Sequence, residues 1–221
     1  MKMYAALGDQ LEIRGDDAIV LCRGKERILT QQELLIWLSL MWHVSTFAEL
    51  YRSYCEKAAA IKLCPEMDFN ACLQRLQQRN LIREGSGYTR DEALYDLLSS
   101  LLICPLRNSF FIKTLAFFGL LSQGRSFREA KLVFSYTALT HFEREILGLA
   151  NRLKMSTVEI IRCIECGADR HSDPSKIAGA LYANTFQDSA LALAACRTSP
   201  IRQEVLAAVT TLYQKQKIVF Q

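Results

Sequence analysis

Glycine and proline are scarce in this 221-residue chain, at ten and four residues. That excludes collagen-like, low-complexity and linker-rich organisations and favours helix. Histidine is scarcer still, and the three present, His43, His141 and His171, stand too far apart to suggest a proton-transfer pair. Also missing are a glycine-rich phosphate loop, a nucleophile elbow and an HExxH helix. The expectation is a protein that is not an enzyme and carries no cofactor. Long uncharged runs are absent too: Asp96, Pro105, Arg107, Asn108 and Lys113 interrupt the most apolar stretch, Leu94 to Leu121, before it reaches the roughly 18 residues a membrane span needs. No membrane partner is expected. The opening Met-Lys-Met-Tyr-Ala-Ala-Leu-Gly-Asp places an acidic residue where a signal peptide needs its apolar run, which points to the cytoplasm.

What is present begins with a core. Half of the residues are apolar and 23% are charged, enough for one large domain or two small ones. The formal net charge of +4 hides an asymmetry, because residues 1–100 sum to −2 and residues 101–221 to +6. Eight cysteines in a reducing compartment read as small buried hydrophobes, without a disulfide framework. Only Cys163-Ile-Glu-Cys166, followed by His171, has metal-like spacing. A tetrahedral zinc site needs a second clustered pair that the neighbourhood lacks, so no metal is expected.

Helix start signals mark the organisation. Capping boxes, in which a hydroxyl and a carboxylate three residues apart satisfy orphan amides, occur at Thr30-Gln-Gln-Glu33, Thr46-Phe-Ala-Glu49, Ser126-Phe-Arg-Glu129, Thr140-His-Phe-Glu143 and Ser156-Thr-Val-Glu159. Pro65, Pro174 and Pro200 each stand at a helix start. Before the first box, Leu11 to Leu29 alternates around Gly15-Asp16-Asp17 and reads as a hairpin. The helix after Asp68 places Phe69, Cys72, Leu73 and Leu76 on one face, and Leu81 to Arg90 reads as two very short strands about Gly85-Ser86-Gly87. Leu94 to Ile103 and Phe110 to Leu121 read as buried helices, or as helices packed on a second copy, which makes a homo-oligomer such as a homodimer the expected assembly. No repeat of fixed period is apparent.

In this order of elements, residues 30–90 resemble a bacterial winged helix-turn-helix domain. The residues that carry the resemblance are the three capped helices, the break at His43 to Ser45, the apolar face of the third helix and the Leu81 to Arg90 hairpin in the wing position. The resemblance implies that the third helix enters a DNA major groove and that the wing lies along the backbone. Independently of the family, the outer face of that helix offers Asn70, Ala71, Gln74, Arg75, Gln78 and Arg79, and Arg83 and Arg90 follow in the wing. Amides and guanidinium groups make paired hydrogen bonds to base edges, while further cations neutralise phosphates. A weaker helix-turn-helix-like segment spans Glu145 to Glu165, with Lys154 where that family has glycine and with Val158 and Ile161 at outward positions. Arg125, Arg128 and Lys131 fall on adjacent turns and form a candidate phosphate-facing stripe.

The expected fold class is mainly α: an N-terminal winged helix with short β-hairpins, followed by an α-helical C-terminal domain. The expected division is residues 1–92, an apolar connector or dimerisation segment 93–122, and a helical domain 123–221 that holds the degenerate second winged helix. The expected function is a cytoplasmic bacterial DNA-binding regulator of transcription. The alternative is a protein- or peptide-interaction module or an assembly subunit, since Leu11 to Leu50 also resembles the peptide-recognition elements of modified-peptide biosynthesis.

Overall fold

The computed structural model describes residues 1–8, 10–14, 17–65, 67–106, 138–182 and 194–221. The first half is organised around strand β1 (Lys2–Ala6), followed by a three-stranded meander of β2 (Gln10–Arg14), β3 (Asp17–Cys22) and β4 (Lys25–Leu29). Helix α1 (Gln31–Leu40), the short strand β5 (Ser45–Thr46), helices α2 (Phe47–Ala60) and α3 (Phe69–Gln78) and strand β6 (Ile82–Ser86) complete it. β1 is the central strand of an antiparallel sheet ordered β5-β1-β6. Trp37 of α1 is fully buried and donates its indole N–H to the Leu7 carbonyl at 3.0 Å, so its single polar atom is satisfied where an unpaired one would cost about 1–3 kcal/mol. The Thr30 and Thr46 capping boxes are both formed, and Phe69, Cys72, Leu73 and Leu76 are all buried as their spacing requires.

The second half repeats this plan. After helix α4 (Arg90–Ser99) come strand β7 (Leu102–Pro105), helix α5 (His141–Arg152), short strand β8 (Met155–Ser156), helix α6 (Thr157–Glu165), helix α7 (Pro174–Tyr182), a helical turn at 194–197, helix α8 (Arg202–Gln214) and strand β9 (Ile218–Phe220). The second sheet is ordered β8-β7-β9. In both halves the first strand is central, a two-residue strand before the second helix forms one edge, and the closing strand forms the other.

Particular residues mark the equivalence. Thr30 and Glu33 cap α1 as Thr140 and Glu143 cap α5, and both glutamates are buried. Glu33 is bridged by Arg79 with both oxygens at 2.9 Å. Glu143 is bridged by Lys215 at 2.9 and 2.8 Å. Arg79 and Lys215 are the C-cap residues of α3 and α8. The residue after each, Asn80 (φ 56°) and Gln216 (φ 55°), turns left-handed, and the next amide closes the helix end, from Leu81 to Leu76 and from Lys217 to Leu212, each at 2.9 Å. The pairs are 46 and 72 residues apart in sequence, which no fixed-period search detects.

The halves share one core. Tyr213 of α8 donates from its buried hydroxyl to the carbonyls of Leu40 (3.3 Å) and Ala6 (3.5 Å) and packs on Trp42 and Phe220. The Gly8 amide donates to the Phe220 carbonyl at 3.1 Å.

This architecture corrects the fold class expected from sequence. Of the described residues, 52% are helical and 21% lie in strands, arranged in three small antiparallel sheets, so the chain is mixed α/β rather than a winged helix joined to a helical domain. Two short segments account for the difference. Leu102 to Pro105, expected within an apolar helical connector, is the central strand of the second sheet, because Ile218–Phe220 and Met155–Ser156 supply partners no local pattern announces. Tyr88 to Arg90, expected as the return strand of a wing, instead turns into the Thr89 capping box of α4. β6 pairs with β1 across Lys2↔Ser86 to Ala6↔Ile82. Gly85 serves close packing rather than a hairpin turn: a Cβ there would lie 2.3 Å from the Leu97 amide nitrogen. Leu94 and Ile103 contribute to the core of this chain from α4 and β7. The Phe110 to Leu121 segment, the Ser126 capping box, the Arg125, Arg128 and Lys131 stripe and the boundary at 122 lie outside the described residues.

Candidate nucleic-acid interface

Helix α3 is positioned from three sides. Its apolar face packs inward through Phe69, Leu73 and Leu76. Asp68 caps it, accepting from the amides of Asn70 (2.9 Å) and Ala71 (3.4 Å). The loop before it is clamped by the buried Gln32, whose amide donates to the Met67 carbonyl at 2.7 Å and whose oxygen accepts from the Met67 amide at 3.2 Å. At the far end, Gln77 donates to Glu84 on β6 at 3.0 Å.

The structure places Asn70, Ala71, Gln74, Arg75 and Gln78 on the exposed surface of α3. Arg79 is a different matter. It is half-buried, bridges both oxygens of Glu33 and donates also to the Ile28 carbonyl, so its guanidinium is consumed in holding α3 to α1 and the meander. Arg75 lies 3.2 Å from the same carboxylate but is about half exposed at 49%, leaving part of its fork free. Arg83 and Arg90 are exposed but stand on β6 and at the first turn of α4, with no wing between them.

One basic element escaped sequence reasoning. The meander folds against the C-terminal end of α3, with the Cys22 thiol 3.5 Å from the Asn80 carbonyl. In the β3–β4 register Cys22 pairs with Lys25 and Val20 with Arg27, so both cations share the face of the meander that carries Cys22. Arg23 sits in the turn between them with φ 51°. Arg23, Lys25 and Arg27 have no ion-pair partner among the described residues. The signal available in sequence was the run Arg23-Gly-Lys-Glu-Arg27, which says nothing about which helix it will flank.

Beside α3 the surface is aromatic. Phe47 and Tyr51 are stacked 6.4 Å apart, and each meets the buried Phe69 edge-on, at 5.7 and 5.0 Å. With Met67 they line a pocket of about 370 Å³, and all three are more than a third exposed.

The second helix-turn-helix-like segment has a different fate. Val158 and Ile161, at outward positions on sequence reasoning, are buried. Cys163 is buried beside the Met155 sulfur at 3.9 Å, and burial pushes its thiol up to about 11. Cys166 is exposed at the C-cap of α6, and the described residues contain no cluster of three metal-ligating side chains. Among the described residues no helix is long and apolar enough to cross a membrane. No protein-family model, curated protein or solved structure matches this chain.

Proposed function

We propose that the chain is a DNA-binding regulator acting in the cytoplasm, with α3 entering the major groove and the β3–β4 turn neutralising phosphates beside it. The observation that carries this reading is the juxtaposition of an exposed amide and guanidinium face, Asn70, Gln74, Arg75 and Gln78, with Arg23, Lys25 and Arg27, cations without an ion-pair partner among the described residues, at the end of the same helix. Amide and guanidinium groups read base edges and cations fix the register. The reading keeps the helix-turn-helix part of the resemblance and gives the phosphate-contacting role to the meander instead of a wing. Arg79 has no part in it.

Fluorescence anisotropy with genomic fragments over a salt series tests this reading. Binding should weaken linearly in log salt, and replacing Lys25 and Arg27 by alanine should lower the slope by about 2. Gln74→Ala should relax sequence preference, with about 1–3 kcal/mol lost on the preferred site. Affinity independent of salt, or no binding to any fragment, overturns the proposal.

A second reading rests on the aromatic pocket. Phe47, Tyr51 and Met67 are apolar side chains that a DNA backbone does not reward, and a protein partner with an apolar anchor would bury them. Tyr51→Ala separates the two readings, because it should abolish capture of such a partner and leave the salt slope of DNA binding unchanged.

A further inference from the structure

A cleft of about 700 Å³ opens where the two halves meet, and a neighbouring one of about 380 Å³ shares Tyr95 and Arg197 with it. Its floor is Tyr95 of α4. Two guanidinium groups from the second half lie over that ring, Arg197 at 5.9 Å and Arg202 at 5.7 Å from its centroid. The Arg202 guanidinium is held in place by its bond to the Arg197 carbonyl at 2.6 Å. The wall from the first half carries Lys2, Ser86 and Tyr88, the last completely exposed.

The charges in this cleft do not balance among themselves. Lys2 is already committed to Glu84 at 2.7 Å. Burial opposes ionisation of Glu84, but hydrogen bonds from Lys2, Gln77 and Tyr4 outweigh it and hold the carboxyl below its usual range. Glu92 is engaged by the amides of Tyr88 (2.9 Å) and Thr89 (3.3 Å) at the start of α4, and Asp96 by the Ser86 amide at 2.8 Å. Arg197 and Arg202 have no carboxylate within ion-pair distance among the described residues. Two planar forks within about 6 Å of one ring centroid, without a counter-ion among the described residues, suit an oxyanion that accepts several hydrogen bonds at once. The exposed Tyr88 ring at the mouth offers a flat apolar face to a planar group.

We propose that this cleft binds the phosphate ester of a nucleoside, with the phosphate on Arg197 and Arg202 and the base against Tyr88. A simple carboxylate or phosphate would use the arginines and leave the tyrosine idle, whereas a nucleotide uses both and fits within about 300–1,000 Å³, the usual size of a small-molecule site. The site is distinct from α3: its residues come from β1, the β6–α4 turn, α4 and the 197–202 segment.

The test is calorimetric titration of the full chain with AMP, UMP and inorganic phosphate, followed by displacement of bound AMP by a single-stranded decamer with or without a 5′-phosphate. Both nucleotides should bind, and phosphate about tenfold or more weaker. Arg197→Gln with Arg202→Gln should weaken nucleotide binding about tenfold or more. Tyr88→Ala, a change at a fully exposed side chain that leaves folding intact, should bring AMP down to the affinity of phosphate. Displacement by the 5′-phosphorylated decamer identifies a strand end as the source of the ligand, and displacement by neither decamer identifies a free nucleotide. Absence of AMP and UMP binding, or binding that survives both sets of substitutions, overturns the proposal.

Discussion

Arg79→Ala separates a structural arginine from the one proposed to read DNA, and its cost follows from the geometry of one carboxylate. Glu33 is 1% exposed and Arg79 is 23% exposed, with both oxygens bridged at 2.9 Å. Removing one partner of a buried ion pair costs about 3–5 kcal/mol, because the other charge is left without compensation. Two features reduce this here: Arg79 is partly solvated, and Arg75 remains 3.2 Å from Oε1. Arg75 is itself half exposed and screened, and such a pair contributes only about 0.2–1 kcal/mol. The expected loss for Arg79→Ala is then about 2–4 kcal/mol, against less than about 1 kcal/mol for Arg75→Ala. Adding Glu33→Gln to Arg79→Ala should recover about 1–2 kcal/mol, since it removes the uncompensated charge. Urea unfolding followed by circular dichroism reads these differences, and anisotropy on the same variants should show sequence preference relaxing for Arg75→Ala alone. Equal costs for Arg75→Ala and Arg79→Ala, or an Arg79→Ala salt slope lowered by about 1, would refute the reasoning.

Two further predictions concern packing. Burial pushes the Cys72 and Cys163 thiols up to about 11, so at pH 8 they stay protonated and inert; with Cys22, Cys104 and Cys196 also buried, a thiol reagent should modify Cys55, Cys64 and Cys166 quickly and the other five only after unfolding. Fast modification of more than three thiols in the native protein contradicts this. Gly85→Ala should cost about 3 kcal/mol, the upper end of the usual overpacking range, because the added methyl meets backbone at 2.3 and 2.5 Å on α4 and neither atom can yield cheaply; a midpoint within error of the parent's in urea unfolding would show that α4 does not press on β6 as described.

Local signals of this fold were legible and distant ones were not. The capping boxes at Thr30, Thr46, Thr140 and Ser156 are four-residue motifs, and each caps a helix. The apolar face of α3 has a period that only a helix satisfies. β7 and β9 are three or four residues each, too short to show alternation, and they acquire strand geometry only by pairing over more than a hundred residues. The Thr89 capping box of α4 was as readable as the others, but Gly85-Ser86-Gly87 suggested a turn and the wing reading absorbed it. For the candidate site, the exposed face of α3 was legible from its opposite, buried face. That Arg79 is spent on Glu33 was not, because the two are 46 residues apart and nothing in sequence tells a guanidinium facing a carboxylate from one facing solvent.

The internal repeat sets equivalent helix faces of the two halves side by side. Aligning Arg79 with Lys215 places Asn70 opposite Leu206, Gln74 opposite Thr210 and Arg75 opposite Thr211. Leu206 is buried, and both threonine hydroxyls donate back to carbonyls of their own helix, Leu206 and Ala207, at 2.8 Å. No base-reading group remains there except Gln214, the counterpart of Gln78. Aligning Thr46 with Ser156 places Phe47, Ala48 and Tyr51, all exposed, opposite Thr157, Val158 and Ile161, all buried. The second half carries extra chain at this point, α7 and the 194–197 turn, and the buried Cys196 of that turn lies 3.8 Å from the Val158 carbonyl. The same topological unit thus has the face of its second helix buried in the second half and exposed in the first. Among the described residues, the part of the +6 of residues 101–221 carried by Arg197 and Arg202 lies where the two halves meet.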